Sequence, residues 1–93
     1  MRTAARVDDN QAEIVKTLRA VGATVQVLSA VGKGCPDLLV GFQNTNYLME
    51  IKDGKKPPSA QNLTKDEERW HRNWRGIAFV VRNTEEALAF IGL

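Results

Sequence analysis

Pro36-Asp37-Leu38-Leu39-Val40-Gly41-Phe42, then Gln43-Asn44-Thr45-Asn46, then Tyr47-Leu48-Met49-Glu50-Ile51-Lys52 is the stretch that decides the fold. Two apolar runs of strand length, joined by four turn-forming residues, predict an antiparallel hairpin of strands Asp37–Phe42 and Tyr47–Lys52. The strand period of two puts Glu50 and Lys52 on one face and Met49 and Ile51 on the other. An acid and a lysine on the cleft side of an otherwise apolar strand are costly without a purpose. Asp37, behind a proline, opens the neighbouring strand.

Working outward, Asp8 to Val21 reads as a helix. Asp8 can cap it with Gln11 in the capping-box position, Ile14, Val15, Leu18 and Val21 supply an apolar stripe, and Gly22 stops it. Thr24 to Leu28 is a short β-branched strand. Ser29 to Pro36 is a loop with two glycines and a proline. Beyond the hairpin, Asp53 to Leu63 is a second loop, and Thr64-Lys65-Asp66-Glu67 fits the T-x-x-E capping box of a second helix that Gly76 ends. Trp70 and Trp74, four apart, should face the core. Ile77 to Val81 is almost wholly apolar, which predicts a central strand. Thr84 caps a last helix whose first turn holds Glu85 and Glu86 and whose buried face holds Leu88 and Ile91. The order αβββαβα predicts an α/β fold, a small mixed sheet flanked by helices, with the third and fourth strands joined by a crossover that allows parallel pairing.

The 93 residues suit a single domain spanning 1–93 and leave room for a dimer, since so short a chain buries little surface alone. Hydrophobic residues at 43% and charged residues at 26% fit a globular domain and exclude extensive disorder. The net charge of +2 is unevenly spread: Lys52 to Arg82 holds eight basic residues against four acidic ones, and the remainder is net acidic. A basic half suits a polyanionic partner, although a solvated, salt-bridged surface fits the same count. The lone Cys35 excludes a disulfide framework. Met1 to Val7 has no apolar leader region and no segment has the length of a membrane span, so a reducing cytoplasm is the expected setting.

Asp37 and Glu50, on adjacent strands, could together hold Mg2+ or Mn2+, hard cations that prefer oxygen ligands, and the backbone carbonyl of Ile51 could add a third oxygen. Lys52 would then stand beside the metal to orient or deprotonate a water, or to stabilise charge on a phosphate oxygen. A bare Glu–Lys pair at a strand end is the alternative for the E-x-K triplet taken alone.

Gly34-Cys35-Pro36-Asp37-Leu38-Leu39-Val40-Gly41, Leu48-Met49-Glu50-Ile51-Lys52 and Leu63-Thr64-Lys65-Asp66-Glu67-Glu68-Arg69-Trp70-His71 together resemble the stand-alone VRR-NUC branch of the PD-(D/E)XK nucleases, over about Asp9 to Ala87. The resemblance implies a restriction-endonuclease-like fold and a divalent-metal phosphodiesterase acting on DNA. It also implies kinship with Holliday junction resolvases, which act as dimers on branched DNA. Carried over by position, Asp37 and Glu50 are metal ligands and Lys52 is the catalytic lysine. Two departures stand out. Related nucleases often carry a metal-reaching acid on the first helix; here that position is Gln11, which would bind metal weakly or through water. Glu13 lies about 200° around the helix from Gln11 and should face solvent, and Asp9 would serve only if the helix starts late. In the second helix many relatives carry a glutamine near Glu68, where this chain is acidic.

Lys33, Lys55, Lys56, Arg69 and Arg72 are candidate contacts to DNA phosphates, sequence-independent and salt-sensitive, and Arg75 continues the Arg69–Arg72 row. His71 reads as a surface histidine before a general base, Cys35 as a small buried residue, and Trp70 and Trp74 as core before base-stacking groups. The functional expectation is a Mg2+- or Mn2+-dependent endodeoxyribonuclease selective for DNA structure, working as a homodimer in a bacterial or phage setting. A non-catalytic nucleic-acid-binding module on the same fold, and a scaffold whose basic half binds an acidic protein, are the other two readings.

Overall fold

The structure is a computed structural model and describes residues 7–93; the expectation about a leader region over residues 1–6 lies outside them. The elements follow the order α1 (Gln11–Ala20), β1 (Thr24–Val27), β2 (Leu38–Phe42), β3 (Thr45–Ile51), α2 (Lys65–Asn73), β4 (Ala78–Val81) and α3 (Thr84–Phe90), with a short 3-10 turn at Pro58–Gln61 inside the loop after β3. The four strands form one mixed sheet in the order β1-β2-β3-β4. β1 and β2 are antiparallel, as are β2 and β3, while β4 runs parallel to β3 through the α2 crossover, with Met49 beside Phe79 and Ile51 beside Val81. This is the small mixed sheet flanked by helices that the pattern predicts.

One face of the sheet carries the core. Leu38, Val40, Met49, Ile51 and Val81 pack there against Ile14, Val15 and Leu18 of α1 and Ala87 and Ile91 of the α3 region. Ile14, Leu18, Leu38, Met49 and Ile51 are fully buried. Truncating any one to alanine should cost about 2–5 kcal/mol. Tyr47, Phe79 and Phe90 stack in series, with ring centroids 6.4 and 4.1 Å apart, and bind β3, β4 and α3 together. α2 supplies no buried residue. It lies near the loop before β2, close enough that a Cβ on Gly34 would collide with the backbone carbonyl of Asp66.

Several sequence expectations need correction. The hairpin turn is tighter than four residues: Gln43 and Asn44 both adopt positive φ (50° and 64°), the primed geometry whose twist suits a two-residue connection, so β3 starts at Thr45. β4 is an edge strand; its apolar residues are served by β3 and α3 rather than by strands on both sides. α1 starts at Gln11 behind Asn10, without a side-chain cap, and Asp8 contributes only its backbone carbonyl to the Gln11 N–H. Asn10 is occupied elsewhere: its amide donates to the carbonyls of Lys52 and Arg82, at the ends of β3 and β4. Val21 is exposed outside the stripe. Asn83, not Thr84, caps α3, its side chain accepting the Glu86 N–H at 2.7 Å. The Thr64–Glu67 capping box forms as expected, but α2 ends at Asn73, so Trp74 leaves the helical row and stands 46% exposed, stacked on a half-buried Trp70 rather than in the core.

Candidate active site

Asp37, Glu50 and Lys52 converge at one end of the sheet. Asp37 is the residue before β2, held between a buried Pro36 and a backbone hydrogen bond from Leu28 N–H to its carbonyl (2.7 Å). Its carboxylate Oδ2 accepts the backbone N–H of Ile51 at 2.8 Å, which joins the loop before β2 to the middle of the E-x-K triplet. Glu50 and Lys52, on the face opposite the core residues Met49 and Ile51, are 3% and 8% exposed. Nζ of Lys52 lies 3.9 Å from Glu50 and 2.8 Å from Oε1 of Glu67.

The two carboxyl groups of Asp37 and Glu50 lie within hydrogen-bonding reach of each other. Burial, followed by the negative charges of Asp37 and Glu67, pushes the Glu50 pKa up to about 10. Burial also raises Asp37, against the opposing pull of the Ile51 N–H. For Lys52 burial disfavours the charge, but the hydrogen bond and charge of Glu67, with Glu50 and Asp8 behind, outweigh it and hold the pKa above the usual lysine value. Glu67 is the mirror image: burial raises it, yet Lys52 and the Thr64 N–H win and its carboxyl titrates below the ordinary range. The result is a fixed ammonium–carboxylate pair beside two crowded carboxyls that cannot both ionise cheaply without a cation.

Two members of this constellation were not among the sequence candidates for chemistry. The capping box alone accounts for Glu67 in the sequence. Asp8, taken as a helix cap, is half-buried and near enough that its charge acts on both Asp37 and Lys52. An acidic residue just ahead of the first helix was the only signal for it.

The other sequence candidates scatter. Gln11 is buried at 5% exposure; its amide donates to Ser29 Oγ at 3.3 Å, and its Oε1 has no hydrogen-bond partner. Glu13 is exposed, as the helical step predicts, and Asp9 sits outside the helix, exposed and 3.8 Å from Lys56. Lys33 is exposed with φ 56°, between Gly32 at 80° and Gly34 at 83°. Lys55 is exposed, Arg69 lies 3.9 Å from Asp66, and Arg72 is exposed with no ion-pair partner among the described residues. His71 is not a surface histidine: it is half-buried edge-on to Trp70, its Nε2 has no partner, and burial lowers its pKa. Cys35 is half-buried, and burial together with Glu50 and Asp37 pushes its thiol pKa up.

The residues present fit a hard divalent cation. Glu50 Oε1 is buried with no donor to satisfy it, Asp37 stands beside it, and a bound cation would remove the repulsion between the two. Among the described residues no group of three or more His, Cys, Asp or Glu is arranged to hold an ion. The remaining positions would fall to neutral oxygens and water, which Mg2+ commonly retains. A separate cleft of about 570 Å³, walled by Asp9, Asn10, Glu13, Asp53, Lys55 and Arg82 among others, includes none of Asp37, Glu50 or Lys52.

No family model matches the chain, and no curated protein matches it significantly. A solved structure described as "VRR_NUC domain" is similar to it, at 29% identity and a TM-score of 0.56, over 87% of this chain and 88% of that one. Among the described residues no helix is long and apolar enough to cross a membrane. The likeness supports a VRR-NUC-like, nuclease-like fold, consistent with the PD-(D/E)XK group.

Proposed function

We propose that this chain is a Mg2+- or Mn2+-dependent endodeoxyribonuclease, a single domain over residues 1–93 that hydrolyses phosphodiester bonds in branched DNA and acts as a homodimer. The observation that carries the reading is the buried, unpartnered Oε1 of Glu50 beside Asp37, with the Lys52 ammonium within 4 Å. Asp37 and Glu50 would hold the ion, with Ile51 carbonyl and Gln11 as neutral oxygens. When bound, the ion would lower the pKa of a coordinated water and neutralise phosphate charge. Water oxygen bonds to phosphorus as its proton passes to solvent, charge builds on the non-bridging oxygens, and the bond from phosphorus to the leaving sugar oxygen breaks, that oxygen taking a proton from solvent. Lys52, held charged, takes no proton from water near neutral pH; it clamps the phosphate and stabilises that charge. Lys33, Lys55, Lys56, Arg69 and Arg72 would contact the backbone.

The test is cleavage of labelled four-way junction, flap and linear duplex DNA with Mg2+, Mn2+ or EDTA, for the wild type beside Glu50→Ala and Lys52→Ala. Metal-dependent cutting lost in both variants supports the enzyme. Full cutting by Glu50→Ala would rule the mechanism out. Sedimentation tests the homodimer, and a strict monomer at working concentration would exclude paired cuts.

A non-catalytic DNA-binding module on the same fold is favoured by one observation: Gln11, where related nucleases often have an acid, is engaged with Ser29. Salt-sensitive binding with no cleavage of any of the three substrates would select it.

A further inference from the structure

The loop before β2, the start of α2 and the end of β3 meet around one residue, Glu67. Oε1 of Glu67 accepts the Thr64 backbone N–H at 2.9 Å and the Lys52 ammonium at 2.8 Å. In return the Glu67 N–H donates to Thr64 Oγ1 at 3.2 Å. The carboxylate is therefore fixed from its own helix before it meets the lysine. From the other side, the backbone of Asp66 and Glu67 is in contact with Gly34, in the loop that leads into Asp37. Lys52 reaches Glu67 more closely than it reaches Glu50, 2.8 against 3.9 Å. The four methylenes of a lysine leave its head free to sweep several rotamers, so something must choose one.

We propose that Glu67 is a positioning residue, which uses the capping box of α2 to set where the Lys52 ammonium sits relative to Asp37 and Glu50. This rests on the reading of those three residues as the cleavage site. The helix start is then part of the catalytic assembly, and the T-x-x-E pattern serves two masters with one oxygen. Removal of Glu67 leaves Lys52 free to swing onto Glu50, where it would compete with the metal. A misplacement of the ammonium by about 1 Å is enough to cost on the order of 100-fold in rate.

Single-turnover cleavage in Mg2+ is compared for wild type, Glu67→Ala, Glu67→Gln and Thr64→Ala, with DNA affinity in EDTA measured alongside. Glu67→Ala should lose about 100-fold in the cleavage rate with DNA affinity within about threefold of wild type. Glu67→Gln keeps an oxygen at the same place and should recover most of that rate. Thr64→Ala loses the hydroxyl half of the box but keeps the backbone N–H that holds the Glu67 oxygen, so it should lower the melting temperature and show only part of the rate loss of Glu67→Ala. Glu67→Ala cutting at the wild-type rate, or Thr64→Ala falling as far as Glu67→Ala, would overturn the proposal. A wild type that cuts nothing would fail the enzyme reading itself. The positioning is then read by side-chain NMR of 15N-labelled lysine in EDTA, with Lys52→Arg for assignment. A slowly exchanging Lys52 ammonium signal in wild type and Glu67→Gln but not in Glu67→Ala supports it; the same signal in all three overturns it.

Discussion

The carboxylate of Asp37 is bonded to the backbone N–H of Ile51, the residue between Glu50 and Lys52, at 2.8 Å. The spacing of the site is thereby set by a side chain on one segment gripping the main chain of another. Asp37→Asn can keep that acceptor while losing the charge. It should abolish metal-dependent cleavage yet retain near-wild-type urea stability. Asp37→Ala also strands a buried N–H and should lose a further 1–3 kcal/mol or so. Equal stability for the two variants would show that the bond to Ile51 contributes nothing.

Glu50 gives the metal-free protein an unusual pH dependence. Its pKa is near 10 folded against an ordinary 4.5, so between those values the folded state holds a proton that the unfolded state has released. Stability must then fall as pH rises through that window, with a slope no steeper than about 1.4 kcal/mol per pH unit. Glu67, lowered in the fold, works the other way and loses its contribution only on acidification below its ordinary value. In EDTA, urea unfolding at pH 5.5, 7 and 8.5 should show wild type weakening with pH and Glu50→Gln staying flatter. A parallel decline in both would locate the effect elsewhere.

Asp8 offers a lever on the site from outside it. Its charge acts on Asp37 and on Lys52, and it is only half-buried. Asp8→Asn should weaken Mn2+ binding several-fold, read by calorimetry, with a stability change within about 0.5 kcal/mol, as for most surface substitutions. Unchanged Mn2+ affinity would confine Asp8 to a bystander role.

Gly34 has φ 83° and a backbone neighbour where a Cβ would go. Gly34→Ala must therefore both strain its own backbone and push on the first turn of α2. A loss of about 2–4 kcal/mol is expected, from roughly 1–2 for a non-glycine residue in a left-handed conformation plus the displacement. Gly32→Ala has φ 80° but meets nothing within 4 Å, so it isolates the strain from the contact. Similar losses for the two would remove any role for the contact.

Much of this arrangement was legible because the chemistry coincides with strand periodicity. Glu50 and Lys52 interrupt an apolar run two apart, so their shared face follows from the pleat alone, and the polar turn supplies the partner strand bearing Asp37. Glu67 was hidden for the opposite reason. A capping box accounts fully for a glutamate three residues after a threonine, and only tertiary placement reveals a lysine within reach of the same oxygen. Trp74 misled because a spacing of four implies a common helical face only while the helix lasts, and α2 ends one residue too soon. β4 misled because an apolar run looks the same whether its second neighbour is a strand or a helix.

Asn10 carries a consequence for how the molecule comes into being. Its amide holds the carbonyls of Lys52 and Arg82, partners 42 and 72 positions away along the chain. Contacts at such separations close large loops and are reached late on any folding route governed by chain topology. During synthesis, the end of the sheet that bears Asp37, Glu50 and Lys52 cannot be locked until the strand before Arg82 has emerged. A nascent chain ending short of Arg82 lacks one of the two carbonyls that Asn10 joins, so the first helix cannot yet be tied to both parallel strands.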